Sequence, residues 1–291
     1  MELFGSHLFS YRLEGMAKRG SHGQIWRAKR SDGLAVAIKK REAESGFPLD
    51  RFEKEALLFA ELTRDGVVGL VALLDVAQWN GETVMVFPWY PQSLEELTGE
   101  PWERLRAVLA SVARTLNQLH GMGVIHGDVT PGNVLLDSSS RQVWLADLGL
   151  AQRIGKAGWA GVEGGAIGIT HGFGHPDRPE PGPHTDWHSL GVCAWKLATG
   201  TLPEAGYRFE AMREVALKHG TGSELAEDLA WWLCRSPSPK RILRWLEGKT
   251  RRLPRKGQRF WLMVTPLRLT LFSGIILLGC YWIARWFFGK N

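Results

Sequence analysis

The sequence predicts an α+β fold of two lobes, with strands in the first and helices in the second, followed by one C-terminal transmembrane helix. Three observations support this prediction: β-rich apolar runs before residue 88, helical periodicity over 89–248, and an apolar stretch at 260–288. The 291 residues are 44% hydrophobic and 23% charged, which is ordinary for globular proteins and excludes a wholly disordered or fibrous chain.

The first lobe, residues 1–88, is predicted from two strands and the helix between them. Leu34–Lys40 is rich in residues that favour strands, and it follows the turn residues Ser31-Asp32-Gly33. Thr83–Phe87 is a second apolar run, which prolines bring to an end. Between the two strands, Asp50–Leu62 has the pattern of a helix that begins with an acidic residue.

The second lobe, residues 89–248, is predicted to be mainly helical. Trp102–His120 is the clearest amphipathic helix, because its leucines and valines recur at helical spacing on one face. Asp186–Thr199 has a second helical pattern, and Gln142–Ala146 is predicted as a short strand between the two helices. The glycine- and proline-rich residues 155–182 are predicted to form a long functional loop.

The C-terminal segment predicts a membrane anchor. From Leu269 to Ala284 there is no charged residue, and at about 1.5 Å per residue this core spans roughly 24 Å. The flanking Arg268 and Arg285 can extend their charges outward, which covers the rest of a hydrocarbon core of ~30 Å. The basic stretch 249–259 is interpreted as a juxtamembrane linker.

The distribution of charge predicts where the chain is located. The net charge is +6, and basic residues crowd before the predicted span while only two follow it. By the positive-inside rule, we expect the residues before the span in the cytoplasm, with a single pass through the membrane. The short chain and its His126-Gly127-Asp128 segment favour a bacterial inner membrane. Three scattered cysteines fit a reducing compartment. A nucleic-acid partner is not expected, because lipid headgroups account for the basic patch.

Acidic and amide side chains in the second lobe mark a candidate catalytic loop. Asp128 and Asn133 lie in a segment with glycine and proline that follows the amphipathic helix. A carboxylate can accept a hydroxyl proton, and an amide oxygen can bind a hard cation. Asp147 follows the short predicted strand, and its carboxylate is suited to Mg²⁺.

The first lobe supplies a lysine and a glycine-containing turn. Lys39 ends the strand segment Val36–Lys39, and Glu55 on the following helix can neutralise its charge. Gly20 and Gly23 lie upstream, in a turn whose backbone N–H groups can approach phosphates.

Taken in order, these motifs resemble the protein kinase family, over residues 12 to 245. The resemblance implies a two-lobed kinase fold with ATP and Mg²⁺ as cofactors. It also implies a serine/threonine protein kinase, which transfers the γ-phosphoryl group of ATP to a hydroxyl of a protein substrate.

The resemblance assigns a role to each motif residue. Asp128 would deprotonate the acceptor hydroxyl, and Asn133 and Asp147 would hold Mg²⁺. Lys39, held by Glu55, would bind the phosphates of ATP. The other implied ATP-binding residues are Gly20, Gly23, Ile25 and Ala37.

Further residues are implied to position the substrate or support the site. Thr130 and Thr170 would position the acceptor. Asp186 would receive backbone N–H groups of the catalytic loop. Asp177, in a degenerate form of the family's Ala-Pro-Glu motif, would pair with Arg241 near the end of the second lobe.

Three positions depart from the family pattern. Lys18 stands where the family has its first loop glycine. Gly127 stands where arginine usually precedes the catalytic aspartate, so we expect activity that does not depend on phosphorylation of the loop. Thr130 stands where serine/threonine kinases usually have a lysine that neutralises the γ-phosphate.

These departures leave alternatives open. The segment His126–Asn133 also resembles kinases of the aminoglycoside and choline type, so the acceptor is alternatively a small molecule, a sugar or a lipid headgroup. A second alternative is a catalytically silent, membrane-anchored pseudokinase scaffold. A zinc site is a further hypothesis, although its residues fall in the long loop and the next helix. The histidines concerned are His171, His175, His184 and His188.

Overall fold

The computed structural model describes residues 3–6, 8–20, 23–41, 49–137, 142–154, 172–175, 180–203 and 208–253. The chain divides into a compact unit of residues 1–252 and a second unit of residues 253–291. Among the described residues, no helix is both long enough and apolar enough to cross a membrane. The predicted transmembrane segment 260–288 lies outside those residues, so the anchor stays a prediction.

The first part of the compact unit is a small barrel of six antiparallel strands with one helix, α1 (Leu49–Arg64). The strands follow one another around the barrel in the order β1-β2-β3-β4-β6-β5. Both strands and the helix predicted in this part are confirmed, with ends shifted by one or two residues. The strands are β1 (Leu3–Gly5), β2 (Ser10–Gly20), β3 (Gly23–Arg30), β4 (Ala35–Lys40), β5 (Asp75–Trp79) and β6 (Glu82–Pro88).

Alternation along β4 separates the barrel core from the candidate site. Val36 and Ile38 are fully buried among the core side chains of the barrel. Ala37 and Lys39 point to the opposite face, because successive side chains of a strand alternate. Ile25 on β3 pairs with Lys39 and therefore shares that face.

The rest of the unit is mainly helical, as predicted. The helices are α2 (Trp102–Gly121), α3 (Pro183–Thr199), α4 (Phe209–Lys218), α5 (Ser223–Arg235) and α6 (Pro239–Leu246). Two small sheets lie among them, with strand orders β10-β9-β7 and β11-β8. Their strands are β7 (Gln92–Ser93), β8 (Val124–Ile125), β9 (Val134–Leu136), β10 (Val143–Leu145) and β11 (Gln152–Arg153).

Helix α3 is the buried centre of this part. Its side chains are buried on almost every face, including Trp195 and Cys193 at 0% exposure, so it lacks the polar stripe of a surface helix. Pro183 occupies its first turn, and Gly200 caps its C-terminus at φ +76° in the left-handed region. Helices α2 and α5 pack against it. A buried, capped helix of this kind is a rigid support for the loops beside it.

Candidate active site

Two carboxylates from two different elements meet at one buried lysine. The Lys39 Nζ on β4 donates to both carboxylate oxygens of Glu55 on α1, at 2.7 and 2.9 Å. The same nitrogen lies 2.8 Å from Oδ1 of Asp147, just after β10. Lys39 is 4% and Glu55 2% exposed. The ammonium group therefore satisfies all three of its donors with carboxylate oxygens.

The environment of this cluster changes the pKa of both partners. Burial lowers the pKa of Lys39, but the carboxylates of Asp147 and Glu55 outweigh that effect and raise it above its ordinary value. Burial raises the pKa of Glu55 to about 7, because the nearby ammonium group offsets only part of the desolvation. The lysine therefore stays cationic at neutral pH.

The candidate catalytic loop joins Asp128 to Asn133. The Asn133 Nδ2 donates to the Asp128 carbonyl oxygen at 2.9 Å and to its Oδ2 at 2.7 Å. Pro131–Asn133 forms a single 3₁₀ turn, which folds the amide back onto the aspartate. The Ala146 N–H donates to the Asn133 carbonyl oxygen at 2.8 Å, so this loop is tied to the residue before Asp147.

Asp186 on α3 fixes the start of the same loop. Its carboxylate accepts the backbone N–H of His126 and that of Gly127, each at 2.8 Å. The ring Nε2 of His120 on α2 lies 2.8 Å from the same carboxylate. Asp186 is only 1% exposed, and a charge so buried is tolerated because it is fully hydrogen-bonded.

His126 links the loop to the strand end that carries Asp147. The Asp128 N–H donates to the Nδ1 of His126 at 3.2 Å, so the proton of the His126 ring lies on Nε2. That nitrogen lies 3.1 Å from the carbonyl oxygen of Ala146 and donates to it. One neutral tautomer therefore satisfies both contacts of this fully buried ring.

Asp147 adopts a backbone conformation that is unusual for a residue with a side chain. Its φ of +66° lies in the left-handed region, which costs about 1–2 kcal/mol and is best tolerated by Asn, Asp and Gly. The Gly149 N–H donates to its Oδ1 at 3.1 Å. The Arg51 Nε on α1 donates to the Gly149 carbonyl oxygen at 2.8 Å. These contacts hold the carboxylate toward Lys39.

Gly127 departs from the family pattern for a steric reason. Its φ is +82°, and a Cβ at this position would lie 2.5 Å from the carbonyl oxygen of Leu150. A side chain, and hence an arginine, does not fit this backbone without a shift. The expected independence from loop phosphorylation stays a prediction.

The glycine turn closes the β2–β3 hairpin. Gly20 pairs with Gly23, whose φ is +153° and whose added Cβ would lie 2.5 Å from the Lys40 carbonyl oxygen. Sequence reasoning missed what Lys18 contacts. A Cβ built on Gly132 would lie 3.3 Å from Lys18 Nζ and 3.8 Å from the Glu95 carboxylate. A cation and an anion therefore stand beside the catalytic loop.

Of the four remaining predicted site residues, the structure describes two. Thr130 is buried at 9% exposure, and its carbonyl oxygen accepts the Asn133 N–H. Arg241 is half-buried on α6. Thr170 and Asp177 lie outside the described residues, so their roles and the pair with Arg241 stay predictions.

An ion pair that the sequence analysis did not predict lies near the end of the compact unit. The Arg252 Nε donates to the Asp228 Oδ2 at 3.0 Å, and the Arg252 Nη2 donates to the Glu227 Oε2 at 2.9 Å. Asp228 is 1% exposed. No motif marks these residues, because the pair depends on the packing of the last segment against α5.

The zinc hypothesis gains no support from the described residues. His175 lies beside His184 and His188, with ring centroids 6.0 and 4.7 Å away. Within the described ranges, no group of three His, Cys, Asp or Glu side chains is arranged to hold a metal ion. His171 lies outside those ranges.

Comparison with known proteins agrees with this geometry. The model of the protein kinase domain matches residues 17–247, which is most of the chain. The chain therefore belongs to the protein kinase family, and the two-lobed α+β fold follows from that membership.

The individual relatives share 27 to 30% sequence identity with this chain. The chain is 29% identical over 228 residues to the serine/threonine-protein kinase PknA of Mycobacterium tuberculosis, covering 72% of this chain and 50% of that protein. It is 30% identical over 227 residues to PknJ of Mycobacterium bovis, covering 73% and 38%. It is 27% identical over 242 residues to cysteine-rich receptor-like protein kinase 34 of Arabidopsis thaliana, covering 78% and 34%. The chain thus spans half or less of these relatives' lengths.

We predict that Gly127→Ala destabilises the protein far more than Gly123→Ala. Both glycines have positive φ, but an added Cβ at Gly123 meets nothing within 4 Å. We expect Gly123→Ala to cost about 1 kcal/mol from the backbone alone, and Gly127→Ala to cost about 2 kcal/mol more from the clash with Leu150. Urea unfolding of the two variants measures the difference. Equal losses would show that the loop adjusts without cost.

Proposed function

We propose that this protein transfers the γ-phosphoryl group of ATP, with Mg²⁺, to serine or threonine hydroxyls of protein substrates. The observation that carries this proposal is the contact of the buried Lys39 with Glu55 and Asp147. A hydrogen bond from Ala146 to Asn133 connects this contact to the Asp128–Asn133 pair. This network connects a permanent cation with a candidate base and with two candidate oxygen ligands for a metal ion. These are the parts that phosphoryl transfer requires.

The residues present fit Mg²⁺ and the phosphates of ATP. Asn133 uses its amide nitrogen on Asp128, so its amide oxygen remains the atom that can bind a cation. Together with the carboxylate of Asp147 it offers the hard oxygen donors that Mg²⁺ prefers. When bound, Mg²⁺ would neutralise charge on the phosphates.

Each residue of the network has a distinct part in the proposed reaction. Lys39 holds a positive charge toward the nucleotide phosphates, and Glu55 keeps its side chain from rotating away. Asp128 accepts the proton of the attacking hydroxyl, and its carboxylate is oriented by the amide of Asn133. Asp186 keeps the loop in place by holding the backbone of His126.

Two features bear on the acceptor. The two mycobacterial relatives are named as serine/threonine-protein kinases, which supports a protein acceptor. Thr130 stands where such kinases usually have a lysine, and the absence of this positive charge from the loop supports the small-molecule alternative. Lys18 carries a cation close to Gly132, two residues after Thr130, and we propose that it offsets the loss at Thr130.

We also propose that residues 260–288 anchor the kinase to a membrane, with the catalytic part in the cytoplasm. The support is the uncharged core Leu269–Ala284 and the basic stretch 249–259 before it. The compact unit ends at Arg252, just inside this basic stretch.

We predict that Asp128→Asn abolishes turnover and leaves nucleotide binding intact. The asparagine has the same shape but cannot accept the hydroxyl proton, so we expect kcat to fall by about 10²–10⁴. The affinity for Mg²⁺ and ATP should stay within about threefold, because Lys39, Asn133 and Asp147 are unchanged. Label transfer from radioactive ATP to a protein acceptor measures turnover, and calorimetry measures binding.

The control for this experiment is Asp65→Asn, which changes an exposed carboxylate that forms an ion pair with Arg64 and, within the described part of the chain, with no other residue. It should leave both quantities unchanged. An Asp128→Asn protein that keeps a tenth of the wild-type kcat would show that Asp128 is not the base.

We predict that Thr130→Lys keeps or raises kcat/KM on a protein acceptor. The lysine restores a charge near the γ-phosphate, and removing one such charge costs roughly 3 kcal/mol in comparable electrostatic roles. A conservative control, Thr130→Val, adds no charge and should not raise activity. A large loss in Thr130→Lys alone would favour a pocket built for a small acceptor.

We predict that deleting residues 260–291 yields a folded kinase that remains in solution without detergent. The hydrophobic core of residues 1–252 is made within that unit. Thermal unfolding and ATP binding should match those of the full chain. A truncated protein that aggregates or loses ATP binding would show instead that the tail packs into the catalytic unit.

A further inference from the structure

One end of the six-stranded barrel exposes two leucines. Leu8, in the connection between β1 and β2, is 78% exposed, and Leu34, in the turn between β3 and β4, is 40% exposed. The Ser31 N–H in the second turn donates to the Ser10 carbonyl oxygen at 2.9 Å, so the two turns lie side by side. We call residues 8–12 and 29–34 the barrel tip.

Arg30 fixes the shape of the barrel tip. Its backbone N–H donates to the Leu34 carbonyl oxygen at 2.9 Å, and the Gly33 N–H donates to the Arg30 carbonyl oxygen at 2.8 Å. The Arg30 guanidinium lies over the Phe9 ring, 4.1 Å from its centroid. It also donates to both carboxylate oxygens of Asp32, at 3.0 and 2.7 Å. Arg30 thus connects the two turns and balances the charge of Asp32.

Two further cations at the barrel tip have no such balance. Arg12 on β2 and Lys29 on β3 are directly paired across the two strands, and both are exposed. Within the described part of the chain, neither forms an ion pair. Like charges directly opposite each other destabilise a sheet. The Lys29 side chain reaches the turn, where its Cε lies 3.9 Å from a Cβ built on Gly33. The tip therefore has an excess of positive charge.

The combination of these cations with exposed leucines favours an anionic lipid surface. Basic side chains are attracted to anionic headgroups, and apolar side chains enter the boundary between headgroups and acyl chains. Asp75 on the neighbouring β5 is hydrogen-bonded within the barrel, because it accepts the hydroxyls of Ser6 and Tyr11 at 2.5 Å each. An acidic protein segment would also suit the cations, but it would leave the leucines of two separate turns exposed.

We propose that the barrel tip binds the surface of a membrane that contains anionic phospholipids. Leu8 and Leu34 would enter the headgroup region, and Arg12 and Lys29 would contact the anionic headgroups. The opposed cations, which repel each other in the free protein, would then share anionic partners.

This contact leaves the candidate active site accessible. Strand β3 runs from Gly23 in the glycine turn to Arg30 at the barrel tip. At about 3.3 Å per residue, seven steps along the strand separate the two ends by roughly 23 Å. The contact adds to the proposed anchor at 260–288 and does not depend on it.

The test uses the full chain with an excess of lipid nanodiscs and ¹³C-labelled leucine methyl groups. The signals of Leu8 and Leu34 are identified by their loss in Leu8→Ala and Leu34→Ala. Each disc contains a nitroxide-labelled lipid, which broadens the signals of nearby groups. We expect both signals to broaden in discs that contain phosphatidylserine. They should broaden much less in discs of phosphatidylcholine alone, or at high salt, because salt screens the headgroup charge.

Charge variants give the second measurement. One basic side chain near an anionic surface strengthens binding about fivefold, so Arg12→Gln combined with Lys29→Gln should lower the equilibrium constant for contact roughly 25-fold. The barrel should stay folded, because the variant removes a repulsive pair. The matched control is Lys218→Gln, which removes an exposed lysine at the end of α4 and should change nothing. The signal of Leu57 on α1, 69% exposed, should not broaden.

Three results would overturn the proposal. The first is broadening of Leu8 and Leu34 that does not exceed that of Leu57. The second is equal broadening in both kinds of disc, which would mean that the tip does not select anionic lipid. The third is a double variant that broadens like the wild type. Signals that shift with polyglutamate and do not broaden in anionic discs would assign the tip to an acidic protein and would also contradict the lipid contact.

The proposed anchor is measured separately in the same samples. A chain held by residues 260–288 should co-elute with discs of phosphatidylcholine alone. Failure to co-elute would contradict the anchor only, because the excess of anionic discs still presents a surface to the barrel tip. Co-elution without broadening of Leu8 and Leu34 would contradict the tip contact only.

Discussion

The burial of one ammonium group between two carboxylates sets the arrangement of the candidate active site. Taking Lys39 and Glu55 out of water is costly, and breaking such a buried pair by removing one partner typically costs about 3–5 kcal/mol. The cost is avoided only when β4, α1 and the segment after β10 hold their side chains within hydrogen-bond distance of one another. The fold therefore fixes these three elements in relation to one charge.

The helical part also contains a buried charge that is held by hydrogen bonds from other elements. Asp186 is a buried carboxylate whose partners are two backbone N–H groups and the His120 ring. It anchors the catalytic loop to α3, the most buried helix of the described chain. The bond from Ala146 to Asn133 then connects the loop to the lysine cluster. Two buried clusters of charge, at Lys39 and at Asp186, and one backbone hydrogen bond thus connect the proposed catalytic groups.

Much of this arrangement could be predicted from the sequence because local patterns encode it. Strand β4 and helix α2 carry clear hydrophobic periodicity, and Lys39, Asp128 and Asp147 lie in motifs with fixed order. Strand β2 was not predicted, because most of its side chains are exposed and even Met16 is half in solvent. Its position comes from pairing with β3, which no local pattern shows.

Other features depend on neighbours that are distant in sequence. The need for glycine at position 127 comes from the Leu150 carbonyl oxygen. The approach of Lys18 to the loop depends on how the hairpin lies over Gly132. The Trp187 indole N–H has no hydrogen-bond partner among the described residues, and only the packed structure shows this. Such features are fixed by tertiary packing, and hydrophobic periodicity carries no information about them.

We propose that Glu55 acts on nucleotide binding through Lys39, and a double-mutant cycle on nucleotide affinity tests this coupling. Calorimetry would give the affinity for ATP with Mg²⁺ of the wild type, Lys39→Met, Glu55→Gln and the double variant. We expect both single variants to bind weakly and the double variant to lose little more, with a coupling of at least about 1 kcal/mol. Losses that simply add would show that the two residues act independently and would contradict this account.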